Sequence, residues 1–553
     1  MAKQETKEVL RKAVKAYNAG EIKVAKRLFA KIIKIEPNQP EANHNMGTLL
    51  VKSGNVEAAL PFIKTALEAN FGAAQYWFNY IDALFKLGRY DESSELLAIA
   101  KTKGCIGKAF DDLESELNSN EVRLRIRIEK LQKSDLLAGP HAYLTHFGIG
   151  EAWQKLGILD EAIKAYNKAL AIKPDYETAH FNMGNALRSQ GKLAEAIEAF
   201  NKAIDIKSDF ILAFMNIGNV FKAQGKPEEA IEAYKKAIAI NPDFAEAYYN
   251  ISFVLLSAKK FSQGFKFREW RWKTKTMATS FLQSAKPFWN GEKRQRILVW
   301  AEQGIGDEIM FSSIIPELCQ SSSTILVQCD ERLIPLFRRS FSDNIVYFPR
   351  GCEVSEDKYD YHIPMGSLPL MFRKSLERFG KTAPGFLKYD KEKAQSIRAS
   401  ISEGLLQNLV GISWRTESPN KGSKKRNIKL ADLAKALDAE NTQLVCLQYG
   451  NVSDEIKMVK RDLGINIIQV NDIDKKNDID GLASLIAACD QVVTIDNSTA
   501  HLAGALGIKT KLLLPSNCDW RWGLKEEHSY WYKSVKLCRQ HKVDDWSLVL
   551  RQI

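Results

Sequence analysis

Between residues 145 and 246 small, aromatic and apolar positions return with a period of 34, longer than the 3.6-residue rhythm of a single helix. The segments 145–178, 179–212 and 213–246 align without gaps, with Gly150, Gly184 and Gly218 at one phase and Gly157, Gly191 and Gly225 at the next. Ala162, Ala196 and Ala230 follow, then Tyr166, Phe200 and Tyr234, then Ala169, Ala203 and Ala237. This pattern predicts paired helices in each unit. The small residues let the two helices cross closely, the aromatic fills the gap between them, the second glycine permits the turn, and Pro174 and Pro242 end two of the units. Gly20, Gly54 and Gly88 carry the same spacing, with Ala25, Ala59 and Pro37 in phase, so residues 8–109 read as three degenerate units within a region 1–109. In 110–144 the phase slips, and the charged stretch 120–134 predicts an irregular or inserted helical pair. The regular units of 145–273 close on 247–273, a capping unit in which Lys259 replaces the turn glycine.

Beyond residues 269–272 the period disappears and short apolar runs alternate with amphipathic helices, the texture of a mostly parallel sheet. Strands are expected near 296–300, 324–330 and 344–349, whereas 359–372, with Pro364 and Pro369, reads as loop-like. A second set begins at 408–415 and continues through 442–450, 466–470, 491–496 and 509–515. Two Rossmann-like domains, 287–390 and 405–520, are therefore expected to face each other across a cleft. The closing segment 521–553 is expected to pack back on the first of them.

Composition narrows the class without naming a chemistry. At 553 residues the chain exceeds what one core of ~250–300 residues can serve, so two to four domains are expected. With 45% apolar and 26% charged residues it reads as an ordinary soluble protein. No apolar run reaches the ~18 residues of a membrane span, and the start has no stretch of signal-peptide character. Eight scattered cysteines without a CxxC pair indicate neither a disulfide framework nor a zinc site, and point to a reducing cytoplasm. The formal charge of +12 favours anionic ligands weakly, and the dispersed lysines without a recognised module argue against nucleic acid.

Three loops carry candidate chemistry. Gly304-Ile305-Gly306-Asp307 lies at the carboxyl end of a strand, where ligands bind in such sheets, and its aspartate is either a helix N-cap or a general base. Asp496-Asn497-Ser498-Thr499-Ala500-His501 joins a strand to a helix, and its hydroxyls and amides at a helix N-terminus suit an anion such as phosphate. Trp414-Arg415 and the cations Lys421, Lys424, Lys425 and Arg426 follow the strand that opens the second domain, either as a solvated loop or as a diphosphate clamp. Gln448 and Tyr449 follow another strand end. Trp414 and Tyr449 either line a pocket or sit in the core. His44 and His180, alone on helical hairpins, read as packing or surface residues.

The 34-residue units resemble the tetratricopeptide repeat, an all-α solenoid whose concave groove implies binding of a peptide or partner protein. Along residues 287–545, the stretches FWNGEKRQRILVWAEQGIGDEIMF, RNIKLADLAKAL, LVCLQYG, LIAACDQVVTIDNSTAHLAGALG, CDWRWG and SYWYKSVKLCRQ are similar, in order, to the C-terminal domain of bacterial tetratricopeptide-repeat glycosyltransferases. That domain is related to glycosyltransferase family nine, the family of the lipopolysaccharide heptosyltransferases. The resemblance implies a GT-B fold, an acceptor-side domain followed by a nucleotide-sugar domain. It also implies transfer of a hexosyl or heptosyl group from a nucleotide diphosphate sugar without metal or other cofactor. It places the base at Asp307 and the donor site at Gly304, Gly306, Trp414, Arg415, Lys421, Arg426, Gln448, Tyr449, Asp496, Asn497, Ser498, Thr499 and His501. Asn497 and Ser498 stand where the family has threonine and glycine, which leaves the nucleotide open. Trp520, Arg521 and Trp522 match the repeat-fused group, with interdomain packing or donor binding as their roles. An acceptor protein in the repeat groove is the first expectation. The alternatives are a lipopolysaccharide or lipid-linked acceptor, with peripheral contact to an anionic membrane face, and a non-catalytic protein-interaction scaffold.

Overall fold

The computed structural model describes residues 2–277, 281–402, 408–417, 423–542 and 545–553. Two compact units divide the chain, Met1–Ala213 and Phe214–Ile553.

The first unit is a run of antiparallel helical hairpins, from Ala2–Asn18 and Ile22–Ile35 to Glu177–Ser189 and Leu193–Ile206. Its repeat chemistry is explicit in the packing. A Cβ placed on Gly150 would lie 2.6 Å from the ring of Tyr166, and one on Gly184 2.6 Å from that of Phe200. Glycine there lets the helices approach until the aromatic fills the crossing, and both rings are fully buried. The turn glycines Gly157 and Gly191 have φ of +77° and +80°, the left-handed region where a side chain is strained. The segment 110–144 is helical too, with Lys108–Leu117 and Asn120–Gln132 as a pair. His180 is buried against the Pro174 carbonyl at 2.9 Å, and His44 bonds Asn79 at 2.6 Å beside the Tyr76 ring, so both histidines are packing residues.

The second unit opens with helices of the same kind, Pro227–Ile240, Ala245–Ser257 and Phe261–Arg268. Gly218 abuts the Tyr234 ring as its counterparts do, with a Cβ distance of 2.5 Å. Lys259 occupies the glycine position of the last turn at φ +59°, a conformation that costs an L-residue ~1–2 kcal/mol. Its ammonium is paired with Glu526 at 2.8 Å.

Two all-parallel sheets follow. The first contains β1 (Arg296–Trp300), β2 (Thr324–Cys329), β3 (Ile345–Pro349) and β4 (Tyr361–Pro364) in the order β3-β2-β1-β4. The second contains β5 (Asn408–Ser413), β6 (Thr442–Cys446), β7 (Ile467–Ile468), β8 (Gln491–Ile495), β9 (Thr510–Leu514) and β10 (Val535–Arg539) in the order β10-β9-β8-β5-β6-β7. Buried runs such as Ile297–Trp300 and Val492–Ile495 pack helices on both faces, as parallel strands require. Strand order reverses between β1 and β4 and again between β5 and β8. These are the switch points at which open α/β sheets leave a crevice beyond their carboxyl ends.

Two expectations change. Residues 359–372 are not loop-like throughout, because Tyr361–Pro364 pairs in parallel with β1 as the fourth strand. Pro364 is tolerated since it ends a strand at the margin of the sheet, where no ladder bond is lost. The segment 521–553 does not simply return to the first sheet. Val535–Arg539 pairs with β9, so the second sheet continues past residue 520, and Val549 of the terminal helix Ser547–Leu550 is buried in the second core. The segment does reach the first half through Trp531, 4.7 Å from Phe379 and 5.9 Å from Phe311, and through Arg521 and Lys533, which donate to Asp307 and to the Gly380 carbonyl.

Candidate functional site

The two glycine- and hydroxyl-bearing loops sit at the two switch points, and they meet. Gly304 caps the helix Ile305–Ser312 and Gly306 lies in its first turn, where a Cβ would come within 2.9 Å of the His501 ring. Glycine at 306 is what permits that approach. Asp307 is not the N-cap: its N–H bonds the Gly304 carbonyl at 2.9 Å, and its carboxylate accepts from both Nε and Nη2 of Arg521. Arg521 also donates to Asp519 at 2.5 Å and lies over the Trp520 ring. Burial alone would depress the guanidinium, but Asp307 and Asp519 hold its pKa well above the ordinary value. The two aspartates and the arginine are thus a fixed ionic triad in which Arg521 remains charged.

The loop before Asp307 is held from behind. Arg271, fully buried, donates to Glu302, Glu269 and Ser367, and Arg268 donates to Gln303 at 3.0 Å. Residues 268–271 end the helical repeats, so the capping segment itself clamps the two residues that precede Gly304. Burial raises the Glu302 carboxyl. Burial also pushes the neighbouring Glu308 up to about 7, although Arg350 bonds it at 2.6 Å.

On the second sheet Asn497 is the N-cap of the helix Ser498–Ala505, accepting from the Ala500 N–H at 3.3 Å and donating to Ser413 at 2.8 Å. Arg426 donates to the carbonyl of Asp496 at 2.9 Å and to its carboxylate at 3.1 Å, which sets a guanidinium beside that helix N-terminus. Ser498 is partly exposed, and the Thr499 hydroxyl is buried without a hydrogen-bond partner. His501 is 6% exposed; its Nδ1 lies 2.9 Å from the Tyr532 hydroxyl and its ring 5.1 Å from that of Trp522. Burial lowers its pKa to about 4, against a smaller opposing pull from Asp496, so the imidazole is neutral at pH 7. The other ring nitrogen, Nε2, lies 3.5 Å from where a Gly306 Cβ would be.

The remaining predicted residues divide. Trp414 does not line a pocket: it is 1% exposed and its indole N–H bonds Glu455 at 2.7 Å, because the strand end turns it into the second core. Arg415 is engaged by Glu455 at 3.3 Å and by the Asn451 carbonyl at 2.9 Å. The Gln448 side-chain carbonyl is shared by Ser413 and the N–H groups of Trp414 and Arg415, all at 3.0 Å, so it orients the end of β5 from a buried position. Tyr449 is half-buried and accepts from the Glu417 N–H at 3.4 Å. Lys421 lies outside the described residues. Sequence reasoning left Arg521 between interdomain packing and donor binding, and passed over Asp519, Tyr532 and Arg271. The one signal was the charge set among tryptophans in 518–523.

The class these features define is a TPR-repeat protein joined to an α/β region of parallel sheets flanked by helices. The family model described as TPR repeat matches residues 150–187, 184–225 and 218–257, and one described as tetratricopeptide repeat matches 16–78. Among curated proteins, Protein FlbA of Caulobacter vibrioides (strain ATCC 19089 / CIP 103742 / CB 15) is 26% identical over 317 residues, or 54% of this chain and 53% of FlbA. The chain thus spans about half the length of that relative. The crystal structure of MamA is 22% identical, covers 32% of this chain and 100% of its own, and has a TM-score of 0.26. The structure of YrrB, a TPR protein with an unusual peptide-binding site, is 21% identical over 40% of this chain and 96% of its own, at a TM-score of 0.19. Among the described residues no helix is long and apolar enough to cross a membrane.

Proposed function

We propose that the α/β region is a GT-B glycosyltransferase that moves a sugar from a nucleotide diphosphate sugar to an acceptor hydroxyl, and that the repeats hold the acceptor, a protein. The observation that carries this reading is the convergence of the two switch-point loops, with Gly306 against His501 and Asp307 against Arg521. An acceptor-side carboxylate and a donor-side helix N-terminus then border one crevice.

Each group has a role in such a transfer. The leaving diphosphate meets the N-terminus of Ser498–Ala505, the free Thr499 hydroxyl and Arg426, a dipole, a donor and a cation directed at developing negative charge. The Asp307 carboxylate takes the proton of the acceptor hydroxyl as its oxygen bonds the anomeric carbon and the bond to the diphosphate breaks. Neutral His501 supplies an N–H rather than a charge. Arg521 holds the Asp307 carboxylate in place beside the crevice. A repeat groove fused to the transfer site raises the local concentration of its acceptor.

Asp307→Asn tests the assignment. Transfer is expected to fall by at least ~100-fold, the low end for a general base, with donor affinity within about threefold of the parent. Loss of donor binding with the fold intact would make the aspartate a structural partner of Arg521 instead. A bound donor that the parent never turns over, with any acceptor or with water, would favour the scaffold.

A further inference from the structure

A second candidate anion site lies at the other end of the second sheet. A hollow of about 340 Å³ is lined by Lys509, Lys511, Lys533, Lys536, Ser534 and His528, with no carboxylate among its walls. Its floor is formed where β9 and β10 begin, since Thr510 pairs with Val535 and Lys511 with Lys536. Thr510 is also level with Val492 of β8, four residues before Asp496. At ~3.3 Å per residue the hollow is ~13 Å from the crevice and at the opposite end of the strands. It is therefore separate from the donor site proposed above and does not depend on that reading.

The chemistry of the lining is one-sided. Lys533 donates to the Gly380 carbonyl at 3.4 Å, a neutral partner that leaves its charge uncompensated, and Lys511 donates to a main-chain oxygen of Ile553 at 3.0 Å. Among the described residues Lys509, Lys533 and Lys536 form no ion pair, although the chain has 67 acidic residues and most buried or half-buried arginines of this unit are paired. The Ser534 hydroxyl in the same wall is buried and has no hydrogen-bond partner. A buried hydroxyl without a partner is uncommon, and here it lies within a ring of cations. Like charges around one hollow repel, and a dianion relieves that repulsion while accepting from the hydroxyl.

We infer that this hollow binds a phosphomonoester, with the phosphate held by Lys509, Lys536 and Ser534. The volume is at the small end of the ~300–1,000 Å³ of ligand pockets, too large for inorganic phosphate alone and suited to a sugar phosphate or the exposed headgroup of an anionic lipid. Both sources present the same phosphate, and the test separates them.

The full chain would be titrated calorimetrically with glucose 6-phosphate, and by sedimentation with phosphatidylcholine vesicles containing phosphatidic acid. Each titration would be repeated with Lys509→Gln/Lys536→Gln, Ser534→Ala and Arg426→Gln. All four positions are near the surface, and a matching thermal transition for each variant confirms its fold. Saturable binding of glucose 6-phosphate that weakens at least tenfold in the double lysine variant, and not in Arg426→Gln, supports a site for a soluble sugar phosphate. The same lysine dependence seen only with the vesicles supports a lipid headgroup. Binding that is unchanged in the double lysine variant, or no binding of either probe by the parent, overturns the inference.

Discussion

His501 offers a prediction whose size can be worked from its surroundings. Its ring is buried between Gly306, Trp522 and Tyr532, and that burial holds its pKa at about 4, below the ~6.5 of an exposed histidine. Because the folded value is depressed, the contribution to stability is full above pH 6.5 and is lost as the pH falls towards 4. In that window the unfolded chain takes up a proton that the folded chain refuses. At ~1.4 kcal/mol per pH unit the loss is ~2 kcal/mol by pH 5 and ~3 kcal/mol by pH 4. Many carboxylates titrate over the same range, so the readout is a difference between two proteins. Urea unfolding followed by tryptophan fluorescence, to which the buried Trp520, Trp522 and Trp531 contribute, would be measured from pH 7.5 to 4.5 for the parent and for His501→Gln. Any constant cost of repacking shifts the two curves apart, whereas the histidine shows itself in slope. The parent should lose ~2 kcal/mol more than the variant between pH 6.5 and 5. Parallel curves would refute the reasoning and mean that the imidazole protonates freely in the folded chain.

The repeats and the clamp behind the glycine loop yield further expectations. Gly184→Ala places a methyl 2.6 Å from the Phe200 ring and should cost ~1–3 kcal/mol, read from the thermal loss of helical circular dichroism; Phe200→Leu in the same chain should recover part of it. Arg271→Ala leaves Glu302 buried without its cation and should destabilise the α/β region by ~3–5 kcal/mol at neutral pH, with some recovery in acid as Glu302 is protonated. Equal unfolding midpoints for Arg271→Ala and the parent would mean that solvent reaches this pair.

The parts of the fold legible in the sequence are those where one physical solution recurs. Gly150, Gly184 and Gly218 face aromatics 16 residues on because the same helix crossing is built three times, and repetition exposes its chemistry. Strands β1 and β8 are legible because a strand covered on both faces must be continuously apolar. Strand β4 escapes notice because it is short, marginal and ends in proline. Strand β10 escapes because Lys536 and Arg539 interrupt its apolar run.

At the site, sequence places residues at strand ends but cannot say which way they turn. Trp414 and Gln448 follow the right strands, yet one turns into the core and the other spends its carbonyl on three donors of its own sheet. The partnership of Asp307 with Arg521 spans 214 residues and has no local signature, since it exists only once both sheets are folded. Arg426 was legible as a cation near the second loop, and the structure adds that Asp496 fixes its place.

The most direct test of the proposed function is calorimetric titration of the full chain with nucleoside diphosphates and their sugar conjugates, alongside Arg426→Gln. The account predicts saturable binding of one nucleotide, tighter as the sugar conjugate, and at least tenfold weaker in the variant, whose substitution leaves the partly exposed fold around Asp496 intact. Absence of binding by every nucleotide, or equal affinity in Arg426→Gln, would contradict it.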